Sequence, residues 1–185
     1  MKIYDERLHP EVIRCLRSGG VVVLRTDTLY GVVASVLSQA AVERVYRLRH
    51  RNAKKACIVL VASESHLPTP PPIYAEQVLA HAWPGPVTVI LPVDNVVPEW
   101  LHRGLKSLAF RVPADPELRE LLLKTGPLIA PSANPEGEPP AETIEEAVDY
   151  FGESVDVYVN NGHVKQGEPS RLIKPLPDGT IERLR

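Results

Sequence analysis

The chain has 185 residues, 44% hydrophobic and 24% charged, with a formal net charge of −2; this suits one domain, residues 1–185, with a real apolar core. The charge balance argues against a generally basic nucleic-acid coat, and no apolar run approaches the ~20 residues of a membrane span. The charged start MKIYDERLHPEV does not read as a signal peptide, so a cytoplasmic, reduced protein is expected, with Cys15 and Cys57 as separate thiols rather than a disulfide or metal pair.

In chain order, Val12, Ile13 and Leu16 form one apolar helical face, closed by Gly19-Gly20. Val21 to Leu24 reads as a buried strand. Ser38 can cap a helix carrying Val42, Val45 and Tyr46 on one side. CIVLVA (Cys57–Ala62) is strand-like, YAEQVLAHAW helical, and VTVILPV (Val87–Val93) and SLAFRV (Ser107–Val112) are further strands. Asp115-Pro116 supplies a capping carboxylate and a proline at the first helical position. Thr143 with Glu146 forms a capping box, VDVYVN is a strand, and RLIKPLPDGTIERLR reads as two strands joined through Asp178-Gly179. The 19 prolines, about twice the usual share, cluster in SHLPTPPPI, WPGP and PEGEPPAE and mark long fixed loops. Strands alternating with helices predict an α/β fold with a sheet of mixed direction.

Four stretches place polar residues at the ends of apolar strands, where ligands bind in open α/β sheets. In RTDTLYG, Thr26, Asp27 and Thr28 either make a turn held by Asp27 or set a threonine hydroxyl in a pocket. In YRLRHRNAKKA and just before it, Arg44, Arg47, Arg49, Arg51, Lys54 and Lys55 make the densest positive patch. Arg49 and Arg51 converge only if the chain leaves the helix there, because residues two apart on a helix point to different sides. In SLAFRV, alternation puts Ser107, Ala109 and Arg111 on one face; an arginine inside such a strand needs either an internal acid or a ligand carboxylate. In LIAPSANPEGEPPAET, Ser132 and Asn134 can present two side chains to one ligand. No G-x-S-x-G elbow, Walker A loop or G-x-G-x-x-G is present, and the six histidines show no metal spacing.

These stretches, in order, resemble the YrdC-like threonylcarbamoyl-AMP synthases. The family pattern reads P-T-D/E-T-x-Y-G, K-x-R-P, W-P-G-P-x-T, A-x-R-x-P, S-x-N and a late G-x-x-S-T. RTDTLYG, RLRHR, WPGPVTVIL with SLAFRVP, and PSAN follow it from about Gly20 to Arg185. The resemblance implies an open twisted mixed α/β sheet around a deep positively charged cavity. It also implies an activity: L-threonine, bicarbonate or CO₂, and ATP, carrying Mg²⁺ on its phosphates, become threonylcarbamoyl-adenylate and pyrophosphate. The product would go to partner proteins that modify tRNA to threonylcarbamoyladenosine.

Carried over by the resemblance, Thr28, Arg111, Ala130 and Ser170 contact threonine. Arg51, Lys55, Ser107, Ser132, Asn134 and Arg185 contact ATP. Arg49 and Arg51 serve catalysis as cations at the phosphates, and no metal ligand is implied in the chain. The chain departs from the pattern at Arg25, Asn52, Ala56 and Pro140, at Ser170-Arg171 in place of Ser-Thr, and at Arg49, which replaces the lysine of K-x-R. If Arg49 performs the lysine's task, Arg49→Lys should retain activity. Two other readings stay open: a paralogue with related carbamoyl-adenylate chemistry, and a non-catalytic module that binds RNA weakly. Two Phe, two Trp and six Tyr leave little aromatic surface for base stacking.

Overall fold

The run from Val21 to Leu24 is wholly buried because helices cover both faces of its strand. A computed structural model describes residues 1–164 and 167–185. In chain order the elements are β1 (Lys2–Tyr4), α1 (Pro10–Arg17), β2 (Val21–Arg25), β3 (Tyr30–Ser35), α2 (Gln39–Leu48) and β4 (Ile58–Leu60). They continue with α3 (Ile73–Ala82), β5 (Val87–Pro92), α4 (Glu99–His102), β6 (Ser107–Arg111) and α5 (Pro116–Thr125). The last are β7 (Leu128–Ile129), α6 (Ile144–Phe151), β8 (Val157–Val159), β9 (Arg171–Pro175) and β10 (Ile181–Arg183).

The strands form one ten-stranded sheet in the order β1-β8-β2-β3-β7-β4-β6-β5-β9-β10, with parallel and antiparallel neighbours mixed. Val21 and Val23 share a buried cluster with Val42 and Val45 of α2 and Phe151 of α6, and Leu79 of α3 extends that cluster over β5. Val22 and Leu24 pack on the other side with Val12 and Leu16 of α1 and Leu118 and Leu121 of α5. Burial on both faces is why β2 is continuously apolar rather than alternating. β6 alternates instead: Leu108 and Phe110 lie in the larger cluster, while Ser107 and Ala109 on the other face are only partly buried.

The local start signals act as expected. Ser38 Oγ accepts from Ala41 N–H at 3.3 Å, Asp115 Oδ1 from Glu117 N–H at 2.9 Å, and Thr143 Oγ1 from Glu146 N–H at 3.2 Å. β9 and β10 pair antiparallel around Asp178-Gly179, with Gly179 at φ +83°. Three elements lie outside the sequence expectations: β1, β3 and the short α4. β3 completes a hairpin with β2, from Val21↔Ala34 to Arg25↔Tyr30. Its apolar run begins inside the polar RTDTLYG stretch, so the pattern changes without any intervening punctuation.

Asp156 ties β2 to α2. Its Oδ2 accepts from Val21 N–H at 2.8 Å and from Arg44 Nη1 at 2.6 Å. Partial burial works against the charge, but Arg44 and the Val21 N–H outweigh it and hold the carboxyl pKa below its ordinary value. A carboxyl lowered by folding contributes stability that is full above its unfolded value and lost as pH falls through the lower folded value. Asp156→Asn is therefore expected to flatten the acid limb of the melting-temperature profile below about pH 4. The half-exposed pair should contribute under about 1 kcal/mol, and an acid limb identical to wild type would remove Asp156 from the pH response.

No helix among the described residues is long and apolar enough to cross a membrane.

Candidate functional site

Beyond β2 the chain turns back through residues 26–29, and Thr26 closes that turn. Its N–H donates to Leu29 C=O at 2.8 Å, its hydroxyl donates to the same carbonyl at 2.7 Å, and it accepts from Leu29 N–H at 3.2 Å. Thr28 Oγ1 sits 3.1 Å from Thr26 Oγ1 and lines a cavity. Asp27 does not hold the turn, contrary to the simplest sequence reading. Its Oδ1 lies 3.0 Å from Arg111 Nη2 and its Oδ2 accepts from Ala114 N–H at 3.1 Å. The acid that a strand arginine demands is thus in the RTDTLYG stretch. Gly31 admits the next segment: a Cβ there would lie 3.3 Å from Pro131 C=O, where residues 131–132 run alongside β3.

The chain does leave the helix between Arg49 and Arg51. α2 ends with His50 N–H donating to Arg47 C=O at 3.1 Å and Arg51 N–H to Tyr46 C=O at 3.0 Å, with His50 at φ +49°. That pair of bonds is a Schellman end, with a histidine in the left-handed position usually given to glycine. The reversal lets Arg49 and Arg51 line the same cavity.

Arg49 is 4% exposed. Its Nε donates to Asn134 C=O at 2.9 Å, and Nη2 to Asn134 Oδ1 and Ser132 Oγ, both at 3.2 Å. Its Nη1 is buried with no hydrogen-bond partner among the described residues. Burial, then repulsion from Arg51, lowers the Arg49 pKa. Arg51 is spread over the Lys55 and Ala56 carbonyls, at 3.2 and 3.0 Å.

Thr28, Arg49, Arg51 and Arg111 line one cavity of about 130 Å³. Ala130, Ser132, Ser170 and Arg185 complete the expected lining. Burial lowers the Arg111 pKa; Asp27 opposes this and Arg185 adds to it. Four arginines therefore line one space with no Asp or Glu among its described lining residues, and Asp27, the acid that meets Arg111, is already paired. Such a space favours anions. It is smaller than the about 300–1,000 Å³ of a typical ligand pocket.

Three expected contacts fall elsewhere. Asn134 is buried and spent: its amide donates to Pro135 C=O at 2.9 Å and Glu138 C=O at 2.6 Å, and its Oδ1 accepts from Arg49. It positions Arg49 rather than lining the cavity. Lys55 is exposed and outside the lining, ion-paired with Glu136 at 2.9 Å. Ser107 pairs with Pro92 at the opposite end of β6 from Arg111. Four residues of strand separate them by roughly 13 Å, and Ser107 is outside the lining because strand direction, not face, places it there.

The sequence reading missed Thr26 as the keystone of the turn, Tyr30, Ile58 and Pro169 in the lining, and Thr88 beneath Ser170. The threonines had a signal in their motifs, but the partner of each hydroxyl had none.

The family model Sua5/YciO/YrdC, described as telomere recombination, matches residues 14–185. The chain belongs to the Sua5/YciO/YrdC family. A Marinobacter nauticus protein named threonylcarbamoyl-AMP synthase is 36% identical over 163 residues, covering 84% of this chain and 85% of that protein. The crystal structure of Pyrococcus abyssi Sua5 complexed with L-threonine superposes with a TM-score of 0.87 at 30% identity, covering 100% of this chain. The chain spans 56% of that Sua5 structure. Escherichia coli YciO superposes at 0.85 with 26% identity, covering 100% of this chain and 92% of that one. The open mixed α/β sheet is thus the Sua5/YciO/YrdC fold.

Proposed function

We propose that this Sua5/YciO/YrdC chain is an L-threonylcarbamoyladenylate synthase, a nucleotidyltransferase that makes threonylcarbamoyl-AMP and pyrophosphate from L-threonine, bicarbonate or CO₂, and ATP. One observation carries the reading: Arg49, Arg51, Arg111 and Arg185 share a cavity with the Thr28, Ser132 and Ser170 hydroxyls. Relatives carrying the synthase name and a homologue solved with L-threonine support it.

The chemistry asks little of a protein nucleophile. The threonine nitrogen attacks the carbon of CO₂ and loses a proton to solvent, forming a carbamate. A carbamate oxygen then bonds to the α-phosphorus while the bond to the pyrophosphate oxygen breaks. The protein's work is to hold amine, carbon dioxide and phosphorus in line and to oppose the charge that develops. Thr28, Arg111, Ala130 and Ser170 hold the amino acid. Arg51, Ser132 and Arg185 take the nucleotide, and the buried Nη1 of Arg49 supplies a donor at the phosphates. Lys55 reaches the triphosphate only after leaving Glu136.

The described residues contain no cluster of three His, Cys, Asp or Glu side chains suited to a metal. On this reading Mg²⁺ would be held by phosphate oxygens and water. The adenylate would pass to tRNA-modifying partner proteins in the cytoplasm.

Pyrophosphate release from ATP should depend on bicarbonate and be fastest with L-threonine, well above L-serine or L-valine. Equal rates with the three amino acids would sink the threonine assignment. Salt-dependent RNA binding without any ATP turnover would favour the RNA-binding module.

A further inference from the structure

Thr88 of the WPGPVT stretch is fully buried in β5, and its hydroxyl lies 2.7 Å from Ser170 Oγ. Among the described residues it has no other hydrogen-bond partner. A buried hydroxyl that kept its hydrogen unpaired would cost about 1–3 kcal/mol, so the Thr88 hydrogen goes to Ser170 Oγ. Arg185 Nη2, which can only donate, lies 3.5 Å from the same oxygen, and Arg185 Nε donates to Ser170 C=O at 3.1 Å. Both lone pairs of Ser170 Oγ thus face donors on the protein side. Its own hydrogen is the one hydrogen-bonding element left for the cavity that Ser170 lines.

We propose that Thr88 is a positioning residue that makes Ser170 a committed hydrogen-bond donor, so that Ser170 meets an oxygen of the substrate's α-carboxylate and not its amine. This rests on the amino-acid site proposed above. A serine free to rotate could accept from the ammonium of a reversed substrate; one already filled by Thr88 and Arg185 repels it. Thr88 therefore selects substrate orientation as well as affinity, and places the amine away from Ser170, free to meet carbon dioxide.

The test is calorimetric binding of L-threonine, and of L-threoninol, which lacks the carboxylate, to wild type, Thr88→Val, Thr88→Ser, Ser170→Ala and the Thr88→Val/Ser170→Ala double variant. Thr88→Val is expected to weaken L-threonine binding about tenfold, the scale of one hydrogen bond to a charged group, while leaving ATP and L-threoninol affinities unchanged. Thr88→Ser restores binding, and the double variant is hardly weaker than Ser170→Ala alone, because the two hydroxyls act as one unit. Additive losses, or unchanged L-threonine affinity in Thr88→Val, would overturn the proposal while leaving the synthase reading intact. Wild type that binds no L-threonine would overturn both. Should Thr88→Val fail to fold, Ser170→Ala on the cavity surface still decides: unchanged L-threonine affinity there refutes a donor at Ser170.

Discussion

Arg49→Lys is expected to lose nearly as much activity as Arg49→Ala. Family pattern alone suggests the opposite, since lysine is the family's residue at this place. The difference is geometric. The Arg49 guanidinium donates from Nε to Asn134 C=O and from Nη2 to Asn134 Oδ1 and Ser132 Oγ, so a planar fork grips the loop after β7 from two of its nitrogens. An ammonium presents its donors from a single nitrogen and cannot span those acceptors while also serving an anion. Arg49→Ala leaves buried acceptors without a donor, at about 1–3 kcal/mol for each that water does not reach. It should also reduce threonine-dependent pyrophosphate release by ~10²-fold or more, the usual cost of one preorganised charge stabiliser. Turnover and melting temperature of both variants check this. An Arg49→Lys protein with wild-type turnover would show that charge alone matters and that the grip on Ser132 and Asn134 is dispensable.

Asp27→Ala should produce the largest loss of stability. Asp27 and Arg111 meet at 3.0 Å with side chains only 6% and 4% exposed. Removing the acid strands a buried guanidinium next to Arg185, and breaking a buried pair from one side costs about 3–5 kcal/mol. For a chain of this size that lowers the melting temperature by on the order of 10 °C. Replacing both residues, as Asp27→Ala with Arg111→Met, should recover much of the stability, because no uncompensated charge is left inside. It should not recover turnover, because Arg111 is assigned to the amino acid. Excess L-threonine should stabilise Asp27→Ala more than wild type, since its carboxylate replaces the missing one. If Asp27→Ala melts within about 2 °C of wild type, water reaches Arg111 and the pair is not the internal partner described.

Much of this molecule is legible without coordinates, wherever the determining contacts lie within a turn or two of sequence. The helix starts at Ser38, Asp115 and Thr143 are written in side chains that bond N–H groups two or three residues on. The unbroken apolar run from Val21 announces a strand covered on both faces, and Asp178-Gly179 announces the last hairpin. The ordered motifs identify the family from the same kind of local text. The partners of the motif side chains are another matter, because sheet order brings together residues far apart in the chain. Nothing near Asp27 names Arg111 as its partner, and nothing near Asn134 says that Arg49 will occupy it. Arg49 and Arg51 share a cavity only because His50 accepts a left-handed conformation, which no residue-type preference at that position requires. Ser107 matches its motif yet lies a strand's length from the site, since a motif carries residue order and not the direction in which folding runs it through the sheet.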